Sequence, residues 1–186
     1  MSLPVMSDEQ FYQLCCRHSD VRFERNAAGD LIIVPLSGGV AGHRNFSLIG
    51  QLGAWVDRHP ELGLGFDSST CFKLPNGADR APDVAWVRAD RWAELTLEQQ
   101  EKFPPIAPDF VIELRSRTDD LKSLQAKMLE YAENGVTLGI LIDPQNQQVE
   151  IHRLQQPPEI LQQPSTIDCS EVLPEFVLKL DRVMAL

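Results

Sequence analysis

Apolar residues recur along this chain with two periods, and the switches between them divide it into elements. Both periods meet in the stretch PDFVIELRSRTDDLKSLQAKMLEY, residues 108–131. Phe110-Val111-Ile112 is a short apolar run that continues through Glu113 to Leu114, the pattern of a buried strand carrying one charge. Beyond Ser116-Arg117-Thr118-Asp119, the apolar residues Leu121, Leu124, Met128 and Tyr131 are spaced three, four and three apart, which predicts a helix over about 119–134. Ser116 and Asp119 have capping-box spacing at its start, and Asn134-Gly135 supplies its stop.

The same reading covers the rest of the chain. Ser7 with Gln10 caps a helix over about 8–17 that carries Phe11, Leu14 and Cys15. Val21 and Phe23 alternate with Arg22 and Glu24, and a turn at 27–30 returns the chain as Leu31-Ile32-Ile33-Val34, a hairpin with Glu24 on a solvated face. Residues 37–43 are too glycine-rich for regular structure. They contain neither GxGxxG nor GK[ST], so a flexible turn is expected before a helix bearing Ile49, Leu52, Trp55 and Val56, with His43 as polar surface at its start. Strands follow at 62–66, 70–74 and 83–87, with Asn76-Gly77 as a tight turn, then a short helix over about 97–102 that Pro104-Pro105 ends. A second hairpin spans 138–142 and 148–153, the segment around Pro157-Pro158 is loop-like, and 176–180 is a last strand. Strands interleaved with helices imply a single α/β domain over 1–186, built around a mixed sheet flanked by helices.

Composition narrows the function classes. An apolar content of 43% over 186 residues supports one sizeable core. The net charge of -10 disfavours tight electrostatic binding to nucleic acid, although divalent cations can supply a nucleic-acid enzyme with the missing positive charge. Cys15, Cys16, Cys71 and Cys169 lack CxxC spacing and read as reduced thiols of a cytosolic protein. With no signal segment and no long apolar run, a soluble cytoplasmic chain without a membrane span is expected.

The chemistry begins at Glu113. An ionised carboxylate in a buried strand must be protonated, paired with a base or bound to a cation. Arg115 lies two residues on, a possible partner, and Lys127 falls on the shoulder of the helix stripe near Tyr131. An ion pair with a snorkelling lysine and a metal-hydrolase site both accommodate these residues. Asp83 heads a strand 30 residues before Glu113. Two carboxylates can hold one or two Mg²⁺ ions that activate water, and a lysine can orient that water or stabilise the transition state of phosphodiester hydrolysis.

The segments APDVAWV (81–87), PDFVIEL (108–114), LQAKMLEYAENG (124–135) and LIDPQNQQVEIHR (141–153), with the upstream GDLIIVPLSGGVAGHRN and the downstream LPEFVLKL, resemble the Uma-two family of restriction-endonuclease-like proteins in the PD-(D/E)XK nuclease superfamily. The resemblance implies a restriction-endonuclease-like mixed β-sheet flanked by helices, with Asp83 and Glu113 as metal ligands and Lys127 as a catalytic lysine migrated onto the next helix. It implies a DNA endonuclease dependent on Mg²⁺, or on Mn²⁺ in its place, acting on DNA. Cutting both strands of a duplex favours a homodimer. A catalytically silent nuclease fold serving as a binding or assembly module is the competing expectation. Arg115 and the Ser116-Arg117-Thr118 loop stand where relatives often carry a lysine and Ser-Pro-Ser.

Overall fold

The computed structural model describes residues 6–185. In chain order the elements are α1 (Asp8–Arg17), β1 (Arg22–Arg25), β2 (Leu31–Val34), α2 (Gly39–Val56), β3 (Gly63–Asp67), β4 (Phe72–Lys73), β5 (Asp79–Arg80), β6 (Val84–Arg88), α3 (Ala89–Ala93) and α4 (Leu97–Glu101). They continue with β7 (Phe110–Leu114), α5 (Leu121–Glu133), β8 (Leu138–Asp143), β9 (Gln148–Arg153), β10 (Glu159–Gln162), β11 (Thr166–Asp168), β12 (Val177–Lys179) and α6 (Asp181–Met184).

Six strands form the central sheet in the order β10-β9-β8-β7-β6-β3. Neighbours are antiparallel except β7 and β8, which run parallel from Phe110 opposite Leu138 to Leu114 opposite Ile142. A parallel pair needs a crossover, and α5 provides it. A four-stranded sheet in the order β2-β1-β5-β4 and a β11-β12 pair complete the mixed α/β architecture.

Alternation along β7 decides what each face of the central sheet carries. Phe110, Ile112 and Leu114 enter a core with Leu48, Leu52 and Trp55 of α2 and with Leu178 and Val183 near the C-terminus. Val111 enters the opposite core with Leu141 and with Met128 and Tyr131 of α5. Glu113 shares the Val111 face, so the charge of this fully buried strand arrives beneath α5. Each large apolar side chain buried here stabilises the fold by about 1.5–3 kcal/mol relative to exposure, which holds α5 in place. Asn134 ends that helix and Gly135 follows with φ of 98°, a left-handed position that a β-carbon would strain.

Several elements differ from expectation for local reasons. The glycine-rich stretch is helical from Gly39, because the buried Leu48, Leu52 and Trp55 anchor α2 and outweigh a glycine cost of about 1 kcal/mol per position. The start of α5 is capped by Asp120, whose carboxylate accepts the Ser123 N–H at 2.8 Å, and not by Ser116. Ser116 instead donates its own N–H to Asp119 at 2.7 Å, tightening the loop before the helix. Past Pro157-Pro158 the chain does not stay a loop: β10 pairs with β9 and supplies the backbone partners that edge otherwise lacks. The four cysteines are free thiols, and no helix among the described residues is long and apolar enough to cross a membrane.

Candidate active site

Asp83 lies one residue before β6, and Glu113 is the fourth residue of β7. The antiparallel register pairs Val84 with Ile112, so its continuation sets Asp83 opposite Glu113 on the α5 face. The Leu114 N–H donates to Asp83 Oδ2 at 2.9 Å, and Asn45 Nδ2 of α2 donates to Oδ1 at 3.1 Å. Lys127 reaches this place from α5. Its Nζ stands 2.8 Å from Glu113 Oε1 and donates to Glu24 Oε1 at 2.7 Å. One helical turn on, the Tyr131 hydroxyl donates to the same Glu113 oxygen at 3.0 Å. The three residues singled out from the sequence, Asp83, Glu113 and Lys127, are therefore brought together.

Two expectations are corrected here. Glu24 is not solvated but 4% exposed. The β1–β5 pairing brings Arg80 and Ala81 over it, and its carboxylate accepts Arg80 Nη1 at 3.0 Å and the Ala81 N–H at 3.1 Å besides Lys127. Alternation correctly placed Glu24 opposite Phe23, but what covers that face depends on segments far away in sequence. Arg115 does not pair with Glu113. Its strand ends at Leu114, so the same-face rule no longer applies, and the guanidinium donates to Asp143 Oδ2 at 2.9 Å and to the Asp119 carbonyl at 3.3 Å. The other Pro-Asp motif is structural, with Asp109 accepting the Arg88 N–H at 2.9 Å and pairing with Arg91 at 2.8 Å. His43 stays an exposed residue of α2.

Burial and shared charge set the protonation of the cluster. Burial pushes the Glu113 carboxyl up to about 7; Lys127 pulls it down, while the Asp83 and Glu24 charges add to the rise. Asp83 is also raised, chiefly by burial, against the Leu114 N–H and Lys127. Burial works against the charge on Glu24, yet Lys127 and Arg80 outweigh it and hold this carboxyl below its usual range. Burial likewise opposes the Lys127 ammonium, but Glu113 and Glu24 hold it well above its ordinary value. Tyr131 is raised by burial and by Glu113, so its hydroxyl stays a neutral donor.

Glu24, Asp83, Glu113 and Lys127 line a cleft of about 1260 Å³. Six cations, Arg22, Arg44, Arg80, Arg115, Arg117 and Lys127, border it against five carboxylates, whereas the whole chain carries a net charge of -10. Two converging carboxylates suit a divalent cation that keeps several of its waters. Asn45 fits the same picture: its Oδ1 is buried beside Asp83 without a partner, an acceptor placed for a proton of such a water. Among the described residues no group of three or more His, Cys, Asp or Glu side chains is arranged to hold a metal. Carboxylate oxygens are donors of the kind a hard cation takes while keeping several waters. Asn45, Arg80 and the Tyr131 hydroxyl were not foreseen as parts of the site; only Tyr131, at i+4 from Lys127, had a local signal.

Among solved proteins, one shares this architecture over nearly its whole length. The fold matches the crystal structure of a "putative nuclease belonging to DUF820" from Anabaena variabilis ATCC 29413 with a TM-score of 0.78 at 20% sequence identity, covering 95% of this chain and 96% of that one. The chain belongs to the Uma2 family, whose sequence profile, described as "Putative restriction endonuclease", matches residues 8–181. No curated protein matches it.

The raised Glu113 carboxyl has a signed consequence for stability. Between an unfolded value near 4.5 and about 7 in the fold, the folded chain holds the extra proton. Stability from this group is therefore full below the unfolded value and is lost as pH rises through the folded one, by up to about 3 kcal/mol. Glu24, whose shift is opposite, contributes stability that is lost as pH falls below its ordinary value of 4.5. In EDTA, melting temperatures from pH 4.5 to 7.5 should fall more steeply for the wild type than for Glu113→Gln. Parallel curves would show that Glu113 does not hold the proton.

Proposed function

We propose that this chain is a Mg²⁺- or Mn²⁺-dependent endonuclease that hydrolyses phosphodiester bonds in DNA. The observation that carries the reading is the convergence of Asp83, Glu113 and a buried Lys127 in a cation-bordered cleft of a nuclease fold. Asp83 and Glu113 would hold the cation, which when bound supplies a lowered pKa to the attacking water and offsets charge on the phosphate. The water oxygen would bond to phosphorus as the bond to the leaving sugar oxygen breaks, the water giving a proton to solvent in the cleft and the leaving oxygen taking one up from solvent.

Lys127 has a defined part in this scheme. Held protonated by Glu113 and Glu24, it is no base. It supplies positive charge beside the phosphate as negative charge accumulates in the transition state, its N–H groups being engaged by Glu24, Glu113 and the Ala81 carbonyl. Arg80 and the Ala81 N–H fix Glu24, and Glu24 in turn aims the ammonium. Arg115 is committed to the buried Asp143 and supports the loop that borders the cleft.

A second reading, a silent nuclease fold used for binding, draws on one specific observation: Glu113 Oε1 is already engaged by both Lys127 and Tyr131. Single-turnover cleavage separates the readings. With saturating Mg²⁺ and DNA, the wild type should cut and Lys127→Ala should be slower by roughly 10²-fold or more while staying folded. Arg115→Ala should instead lose about 1.5–3 kcal/mol of stability, because Asp143 loses its cation but keeps its Gln145 and Asn146 donors, and should keep much of its rate. A dead but folded Arg115→Ala beside a near-wild-type Lys127→Ala would reverse the assignment, and a wild type that never cuts would leave the silent module.

Cutting both strands of a duplex calls for two such sites, which a two-fold homodimer provides most simply. Sedimentation at micromolar concentration should then show a dimer, and a monomer throughout the concentration range would contradict this part of the proposal.

A further inference from the structure

The cations of the cleft differ in what already holds them. Lys127 is held by Glu24 and Glu113, Arg80 by Glu24 and Glu130, and Arg115 by Asp143. Arg22 is held by nothing comparable. It stands two residues before Glu24 on β1, hence on the same face, and lines the cleft. Among the described residues its guanidinium makes no hydrogen bond or ion pair, and its Nε is buried without a partner. Buried donors are nearly always satisfied, so a missing partner here calls for explanation. Arg117 is equally uncommitted, but it is exposed on the loop before α5, where water satisfies it.

The surroundings say what kind of partner fits. Arg22 is near enough to Asp83 for its charge to pull that carboxyl down, yet it does not bond to it. The two Asp83 oxygens are taken up by Asn45 and the Leu114 N–H. An anion lying beside Asp83 would meet the Arg22 guanidinium directly, and a guanidinium presents a planar fork of donors that matches two phosphate oxygens.

We propose that Arg22 is a phosphate-binding residue, its missing partner being a phosphodiester group of the bound nucleic-acid strand beside Asp83. The proposal rests on the nuclease reading for its ligand class, but its test does not require cleavage. Arg22 adds a positive charge to the substrate path that the protein has not already neutralised, which helps an acidic chain hold a polyanion.

The test is the salt dependence of binding of a short fluorescent DNA duplex in EDTA and again in Ca²⁺, for the wild type, Arg22→Ala and Arg22→Lys. Arg22→Ala should bind roughly tenfold or more weakly at low salt, and its plot of log affinity against log salt should be shallower by about 0.9, the signature of one lost phosphate contact. Arg22→Lys should keep the slope and bind less tightly than wild type, because the fork is gone. The melting temperature of Arg22→Ala should not fall, since no protein group loses a partner. Wild-type affinity and slope in Arg22→Ala would overturn the proposal. So would a large drop in melting temperature with the slope unchanged, or a wild type that does not bind duplex at all. A chain that shows the Arg22-dependent slope but never cuts with Mg²⁺ keeps this inference and loses the hydrolase reading, and one that cuts with an Arg22-independent slope does the reverse.

Discussion

A buried ammonium between two buried carboxylates holds the candidate site together. Lys127 of α5 bridges Glu113 of the central sheet and Glu24 of the N-terminal hairpin, three segments that are far apart in sequence. Removing any one member would strand a charge in a place where water is scarce, at a cost of about 3–5 kcal/mol. The pairing therefore fixes how α5 is rotated on the sheet and how closely β1 approaches it. Arg80 extends the bridge outward, tying Glu24 to Glu130 on the outer side of the same helix. The apolar packing of Met128 and Tyr131 and this polar network set one orientation of α5 by independent means.

The network is also short of positive charge, and that shortage links structure to chemistry. Glu24, Asp83 and Glu113 lie close together, while Lys127, Arg80 and Arg22 supply the nearby cations, Arg80 is shared with Glu130, and Arg22 bonds to none of the three. Glu113, deepest in the cluster, meets the deficit by holding its proton up to about 7. A divalent cation placed between Asp83 and Glu113 would meet the same deficit and release that proton. On the proposed function, an acidic chain would meet an acidic polymer at a cleft bordered by six cations and five carboxylates, against a net charge of -10 for the whole chain.

Much of this was legible in the sequence wherever a local rule decided the outcome. A short apolar run placed Glu113 in a buried strand, the three-four-three spacing placed Lys127 beside Tyr131 on α5, and Asn134-Gly135 marked where that helix stops. Capping chemistry located the start of α1. Legibility failed where long-range contacts decide. Nothing near Glu24 announces that Arg80 and Ala81 will cover it, and nothing near Arg115 announces Asp143 as its partner, because both pairings arise only when separate strands meet. The helical start of α2 was hidden for a related reason: glycines read as a break locally, while the packing that overrides them lies further along the helix.

In the proposed site Asp83 and Glu113 would hold a divalent cation beside Lys127. Counting Mn²⁺ bound to the folded protein at neutral pH by electron paramagnetic resonance tests this most directly. The account predicts saturable binding by the wild type that disappears in Asp83→Ala and Glu113→Gln, weakens on acidification, and persists in Lys127→Ala. Equal Mn²⁺ binding by the wild type and both carboxylate variants, or none by any of them, would contradict it.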